Sequence, residues 1–314
     1  MKKIKYFFKL VRWQNLIMVA LMMFLVYYAL MSPLFMTSYS TVVPDSLSFF
    51  LFVLSVIFVV AGGYVINDCF DVYIDKINRP DTVIVDRVLP KSTAYVYYWI
   101  LNILGLCCSV VSGVRALKMS FFQLVVCVVL LALVLYLYSR TYKRKLLIGN
   151  IIVALSVASA VALPLFFEMI YLSQDTLILS VVKDVMPYIE YNVLIYTAFA
   201  FLSTLVRELI KDAEDYKGDM QDNCRTLPVV AGLTVTKVMV SVLIMLLLAL
   251  VAYFQYVLYS MDNNVALLSL IVVDVLCVAL IMQVLNAEKK KDFHRASLMA
   301  KILMLFGIIS MIFV

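Results

Sequence analysis

Asp68, Asp71 and Asp75 repeat the spacing of Asp212, Asp215 and Asp219, both reading D-x-x-D-x-x-x-D. On a helix this spacing brings three carboxylates to one face through i, i+3 and i+7 positions. Carboxylates crowded in this way repel one another unless a cation lies between them. The candidate ligands are all oxygens, and the amide of Asn67 adjoins the first cluster. Hard oxygen donors suit Mg2+ or Ca2+ and disfavour zinc or copper. Mg2+ uses one or two carboxylates and completes its shell with water and phosphate oxygens. Two such ions bridged by a diphosphate would match this much negative charge. Arg79, Lys143, Arg144, Arg207 and Lys211 lie at the ends of apolar runs and are candidates for the remaining phosphate charge. Arg offers a bidentate fork for phosphate, whereas Lys acts as a point charge.

The elements that carry these residues must cross a membrane. The 314 residues are 65% hydrophobic and only 15% charged. Nine apolar runs are each long enough for a spanning helix, at about 15–32, 48–67, 93–112, 119–139, 148–168, 189–210, 236–258, 264–286 and 297–314. They are too long and too uniformly apolar for barrel strands. The expectation is an all-α polytopic membrane protein, one transmembrane domain over 1–314, with nine helices around a central cavity. No linker divides the chain. The start does not resemble a cleavable signal peptide. The six cysteines lack C-x-x-C spacing and are read as small apolar residues without a structural disulfide.

All but Arg115, Lys118 and Lys183 of the 26 Lys and Arg fall at the N-terminus or in alternate loops after it. The positive-inside rule then places the N-terminus in the cytoplasm and the C-terminus outside. The net charge of +6 follows from topology and anionic lipid headgroups, so no nucleic-acid partner is implied. Eleven of the 20 acidic residues lie in two windows, 68–86 and 208–222, on the cytoplasmic side. One window follows the second run and the other the sixth, which suggests an internal duplication that brings both to one cavity mouth.

Other chemistries fit less well. The only histidine, His294, stands in Lys-Lys-Lys-Asp-Phe-His-Arg and is read as an interfacial loop residue. No Ser-His-Asp arrangement or Gly-rich phosphate loop is present. An ion-coupled transporter would place its carboxylates near the bilayer midplane, whereas these sit at helix ends. CDP-alcohol phosphotransferases place Gly after the second Asp of their motif, where this chain has Val72.

Asn67-Asp68-Cys-Phe-Asp71-Val-Tyr-Ile-Asp75-Lys-Ile-Asn78-Arg79-Pro80 resembles the first motif of the UbiA superfamily of intramembrane prenyltransferases. Arg207-Glu-Leu-Ile-Lys211-Asp212-Ala-Glu-Asp215-Tyr-Lys-Gly-Asp219 is similar to its second motif. Arg12-Trp-Gln-Asn15 is similar to the R-P-x-N opening of its first helix, with Trp13 in place of proline. The likeness is nearest to the digeranylgeranylglyceryl phosphate synthase branch. One departure is the longer stretch from Arg79 to Ser92, which lacks the usual S-G and bears on the acceptor more than the donor.

The resemblance implies Mg2+-dependent transfer of a polyprenyl group, nearest to geranylgeranyl, from its diphosphate to a lipophilic acceptor. A prenylglyceryl phosphate hydroxyl is the first acceptor, and an aromatic acceptor of quinone biosynthesis the alternative. Asn67, Asp68 and Asp71 would hold one ion and Asp212 and Asp215 the other, with Asp71, Asp75, Asp215 and Asp219 as the catalytic carboxylates. Asn15 joins the five basic residues as a diphosphate ligand. Tyr64, Phe70, Tyr73 and Tyr142 adjoin the motifs and are candidates to face a cation-like allylic carbon. The expected location is a bacterial inner membrane, with the site on its cytoplasmic side and bilayer lipids as partners.

Overall fold

A computed structural model describes residues 2–38, 46–78, 80, 83–117, 120–222 and 224–314. Among these, nine helices are long and apolar enough to cross a membrane, and no strand is present beyond an isolated Val85–Leu89 bridge. In chain order the helices are α1 (Lys2–Leu10), α2 (Trp13–Leu25), α3 (Ser32–Ser38), α4 (Ser46–Phe70), α5 (Val72–Asn78), α6 (Lys91–Leu117) and α7 (Phe121–Leu137). They continue with α8 (Ile148–Leu172), α9 (Thr176–Val182), α10 (Met186–Gln221), α11 (Leu227–Ser260), α12 (Asn264–Leu285) and α13 (Lys290–Ser310). The first span joins α2 to α3 through a wider π turn at Val26–Met31, and α7 ends in another at Tyr138–Tyr142.

Lipid offers little hydrophobic drive between helices, so close packing of small residues holds α4 against α6. A Cβ added to Gly105 would stand 2.9 Å from Val59, and Ser112 donates to the Ser48 carbonyl at 2.6 Å. On the other side α10, α11, α12 and α13 pack around a core that includes Tyr196, Ile244, Val273 and Ala296. Between the two groups, flanked by α2 and α8, lies a cavity of about 1280 Å³.

Two helices outrun their apolar stretches. α10 has 36 residues and is about 54 Å long, against a hydrocarbon thickness of about 30 Å. The expected span ended near residue 210, but Lys211, Ala213, Glu214 and their neighbours favour helix as well as water, so the second motif rides on the last turns. α13 likewise begins at Lys290, where Asp292 accepts from the Lys289 amide at 2.9 Å. His294 therefore sits on a helix rather than in a loop. The first motif is also largely helical: α4 stops at Phe70, yet Asp71 donates to the Asn67 carbonyl at 3.0 Å and Asp75 to that of Asp71 at 2.9 Å.

Candidate active site

Both acidic motifs open into the same cavity. Asn67, Asp68, Asp71 and Asp75 line it from α4, α5 and the break between them, and Asp212, Asp215 and Asp219 line it from α10. α5 packs against α10, which is the contact that joins the two rims. Asp71 is buried, and its Oδ2 accepts from Asn67 Nδ2 at 2.6 Å and is ion-paired with Lys143. The π turn after α7 sets that contact: its Lys143 amide donates to the Tyr138 carbonyl at 3.0 Å, and Tyr138, Ser139 and Lys143 all line the cavity. Burial opposes the Lys143 charge, but Asp71, joined by Tyr138 and Asp75, offsets it and leaves the ammonium pKa raised. Burial and then the Asp71 carboxylate push Asp75 up to about 6.

Arg12 closes the first rim. It stands between α1 and α2 at φ 53°, in the left-handed region that non-glycine residues seldom adopt. Its guanidinium bridges Asp68 at 2.8 Å and lies 4.8 Å from the Tyr64 ring centroid. These contacts hold a backbone that otherwise costs on the order of 1–3 kcal/mol. On the second rim, Asp212 accepts from Asn150 at 2.7 Å, and Glu208 is paired with Arg207 at 2.7 Å and Lys211 at 3.5 Å. Arg144 bridges Asp222 at 2.9 Å.

A family model described as the UbiA prenyltransferase family matches residues 25–306. The chain belongs to this family. It is an integral membrane prenyltransferase. Digeranylgeranylglyceryl phosphate synthase of Sulfurisphaera tokodaii is 30% identical to it over 279 residues, which cover 89% of this chain and 87% of the relative. A solved structure described as concerning the biosynthesis of digeranylgeranylglyceryl phosphate synthase in membranes matches with a TM-score of 0.63 at 27% identity, covering 99% of this chain and 98% of that one. A UbiA homolog from Archaeoglobus fulgidus bound to GPP and Mg2+ shares the fold, with a TM-score of 0.55 at 16% identity, covering 98% of this chain and 100% of that one.

The donor set of this UbiA chain fits a hard divalent ion. Asn67 is buried, and its Oδ1 has no hydrogen-bond partner among the described residues. Such an orphaned oxygen costs free energy unless a ligand takes it up. Among the described residues no three His, Cys, Asp or Glu side chains already form a closed metal cage. An ion that draws most of its shell from water and substrate oxygens requires no such cage.

The cavity gathers most, but not all, of the residues expected at the site. Asn15, Tyr64, Lys143, Arg144, Arg207 and Lys211 line it, whereas Arg79 lies outside the described residues. Phe70, Tyr73 and Tyr142 do not line it. Each helical residue is rotated about 100° from the last, so neighbours of a motif residue face elsewhere. Phe70 packs edge-on to Tyr136 at 6.1 Å, Tyr73 is 63% exposed, and the Lys145 ammonium sits 5.0 Å over the Tyr142 ring.

Several cavity residues go unflagged by the sequence reading. Arg12 has a signal in its Arg12-Trp-Gln-Asn15 context, and Lys301 has one as a charge inside an apolar run. Tyr138 and Asn150 have none. His294 contacts Glu214 at 3.1 Å and lines the mouth.

Proposed function

We propose that the chain transfers a geranylgeranyl group from its diphosphate to the free hydroxyl of a prenylglyceryl phosphate, with Mg2+ as the divalent ion. The bond from the allylic carbon to the diphosphate oxygen breaks, the acceptor oxygen forms an ether bond to that carbon, and the hydroxyl proton is released. The observation that carries this reading is the convergence of two carboxylate rims on one cavity that continues into an apolar interior. It is supported by the relatives named digeranylgeranylglyceryl phosphate synthase and by the homolog bound to GPP and Mg2+.

Asn67, Asp68 and Asp71 would hold one ion and Asp212 and Asp215 the other, with Asp75 and Asp219 completing the two shells. The ions would supply electrostatic stabilisation of the departing diphosphate. Lys143 and Arg144 stand beside the rims and meet the phosphate charge that remains; Arg79 is assigned the same role from its place after the first motif. Tyr64 is the one aromatic of the four expected that faces the cavity, and its ring meets a cation-like carbon. The walls keep water from that carbon, which would otherwise be hydrolysed. The excess of basic residues at the motif end supports a mouth on the cytoplasmic side, with residues 1–314 as one catalytic unit in the cytoplasmic membrane.

Purified protein offered geranylgeranyl diphosphate with prenylglyceryl phosphate, 4-hydroxybenzoate and a naphthoate, followed by mass analysis, tests the acceptor. The expected product is the ether of the first. Alkylation of an aromatic acceptor alone overturns that assignment. Asp71→Ala and Asp215→Ala are expected to abolish Mg2+-dependent diphosphate release while leaving insertion intact, and full turnover by both removes the metal site.

A further inference from the structure

Beyond the acidic rims the cavity continues as a slot beside α13, which packs against both α10 and α2. Each of these helices carries a polar head followed by apolar residues on one face. The lining residues include Lys301, Met304 and Ile308 on α13 and Met311 just after it. On α10, which runs the other way, they include Arg207, Thr204, Ala200 and Tyr196. On α2 they include Asn15, Met18 and Met22. Three faces thus align polar with polar and apolar with apolar, the shape of a site for one amphiphile.

The polar end is built for an anion. Lys301 donates to Asn15 Oδ1 at 3.5 Å, and Asn15 Nδ2 donates to the Tyr64 hydroxyl at 3.2 Å. Arg207, Lys211 and Arg12 line the same cavity as Lys301, with the Glu208 carboxylate among them. Arg12 already bridges Asp68 and Arg207 Nη1 pairs with Glu208, but the buried Nε of Arg207 has no hydrogen-bond partner among the described residues. Like charges gathered in a low-dielectric interior repel unless an ion of opposite sign lies among them. Arg207 also precedes Asp212 by five residues and Asp215 by eight, so it lies about 8 and 12 Å from them along α10, on the side of the apolar interior. Lys143 and Arg144 pair instead with Asp71 and Asp222.

We propose that Lys301, Arg207 and Asn15 form a second anion subsite that takes the phosphate monoester of the acceptor. The acceptor's prenyl tail then lies along Met304, Ile308 and Met311. This inference rests on the prenylglyceryl phosphate reading and moves Asn15 and Arg207 from the donor to the acceptor. It makes Lys301 a specificity-determining residue.

The test compares wild type, Lys301→Met and Lys301→Arg, using prenylglyceryl phosphate and its dephosphorylated prenylglycerol. Lys301→Met is expected to raise the acceptor KM about 10- to 100-fold, the range for loss of a charged hydrogen bond, and to leave the donor KM within about twofold. With prenylglycerol the substitution changes nothing, and Lys301→Arg restores most of the affinity for the phosphorylated acceptor. Calorimetric binding of both acceptors to metal-free protein gives the same ranking without turnover. A rise in the donor KM, or equal losses with and without the acceptor phosphate, overturns the subsite while leaving the acceptor reading in place. Displacement of prenylglyceryl phosphate by an equal mole fraction of phosphatidylglycerol also overturns it, since the slot would then read any anionic lipid. Wild type that fails to prenylate the phosphorylated acceptor at all sinks both.

Discussion

Lys143 is ion-paired with Asp71, joining the turn after α7 to the break between α4 and α5. The ammonium therefore neutralises a carboxylate that a divalent ion would need, and both positive groups share one acid. Lys143→Met is expected to lower the Mg2+ concentration needed for half-maximal activity, because a competing cation is gone. At saturating Mg2+ the same variant should lose about 100-fold in kcat, as a cation facing the leaving diphosphate is missing. Mg2+ titrations of diphosphate release measure both quantities.

Asp75 predicts a pH dependence. Its folded pKa is raised to about 6, so between the ordinary carboxylate value and 6 the folded protein holds a proton that the unfolded chain has lost. The sign follows: metal-free protein should lose stability as pH rises through this window. Asp75→Asn should flatten that slope in thermal melts without metal. Mg2+ should bind more tightly as pH rises through about 6, with protons released on binding.

Asn150 donates to Asp212 Oδ2 at 2.7 Å and so orients one carboxylate of the second rim. Asn150→Leu removes the donor with little change in volume. Partners of metal ligands typically control affinity by 10- to 100-fold, and about a tenfold weaker Mg2+ dependence is expected here. Metal-dependent thermal shifts follow this effect apart from catalysis.

Gly307 leaves room for the Phe199 ring on the wall of the slot. A Cβ at 307 would stand 2.2 Å from Phe199 Cε1, so Gly307→Ala must displace the ring. The crowding should cost about 1–3 kcal/mol in stability. It should also favour shorter tails by about tenfold in kcat/KM, read by competing geranyl against geranylgeranyl substrates.

The membrane spans and the pairing of the acidic motifs are legible in the sequence for simple reasons. Hydrocarbon demands long apolar runs, and six aspartates at matched spacing serve no packing purpose in them. The helix ends are less legible, because the charged turns of α10 and α13 carry no hydropathy signal although nothing in them breaks a helix. Aromatic roles assigned by sequence proximity hold poorly, since Phe70 adjoins Asp71 in the chain yet faces Tyr136. Tyr138 and Asn150 reach the cavity through a π turn and a helix start, local geometry that no residue type announces. Lys301 is legible only in retrospect, as a charge that topology alone does not require so deep in a span.

The unbroken course of α10 has a mechanical consequence. Asp215 and Arg207 are fixed to a single rod, so any tilt that shifts one of them carries the other in the same stroke. If Asp215 and Arg207 hold the two headgroups as proposed, loading of the two lipids would be coupled without a hinge, and a flexible insertion between Lys211 and Asp212 would uncouple it.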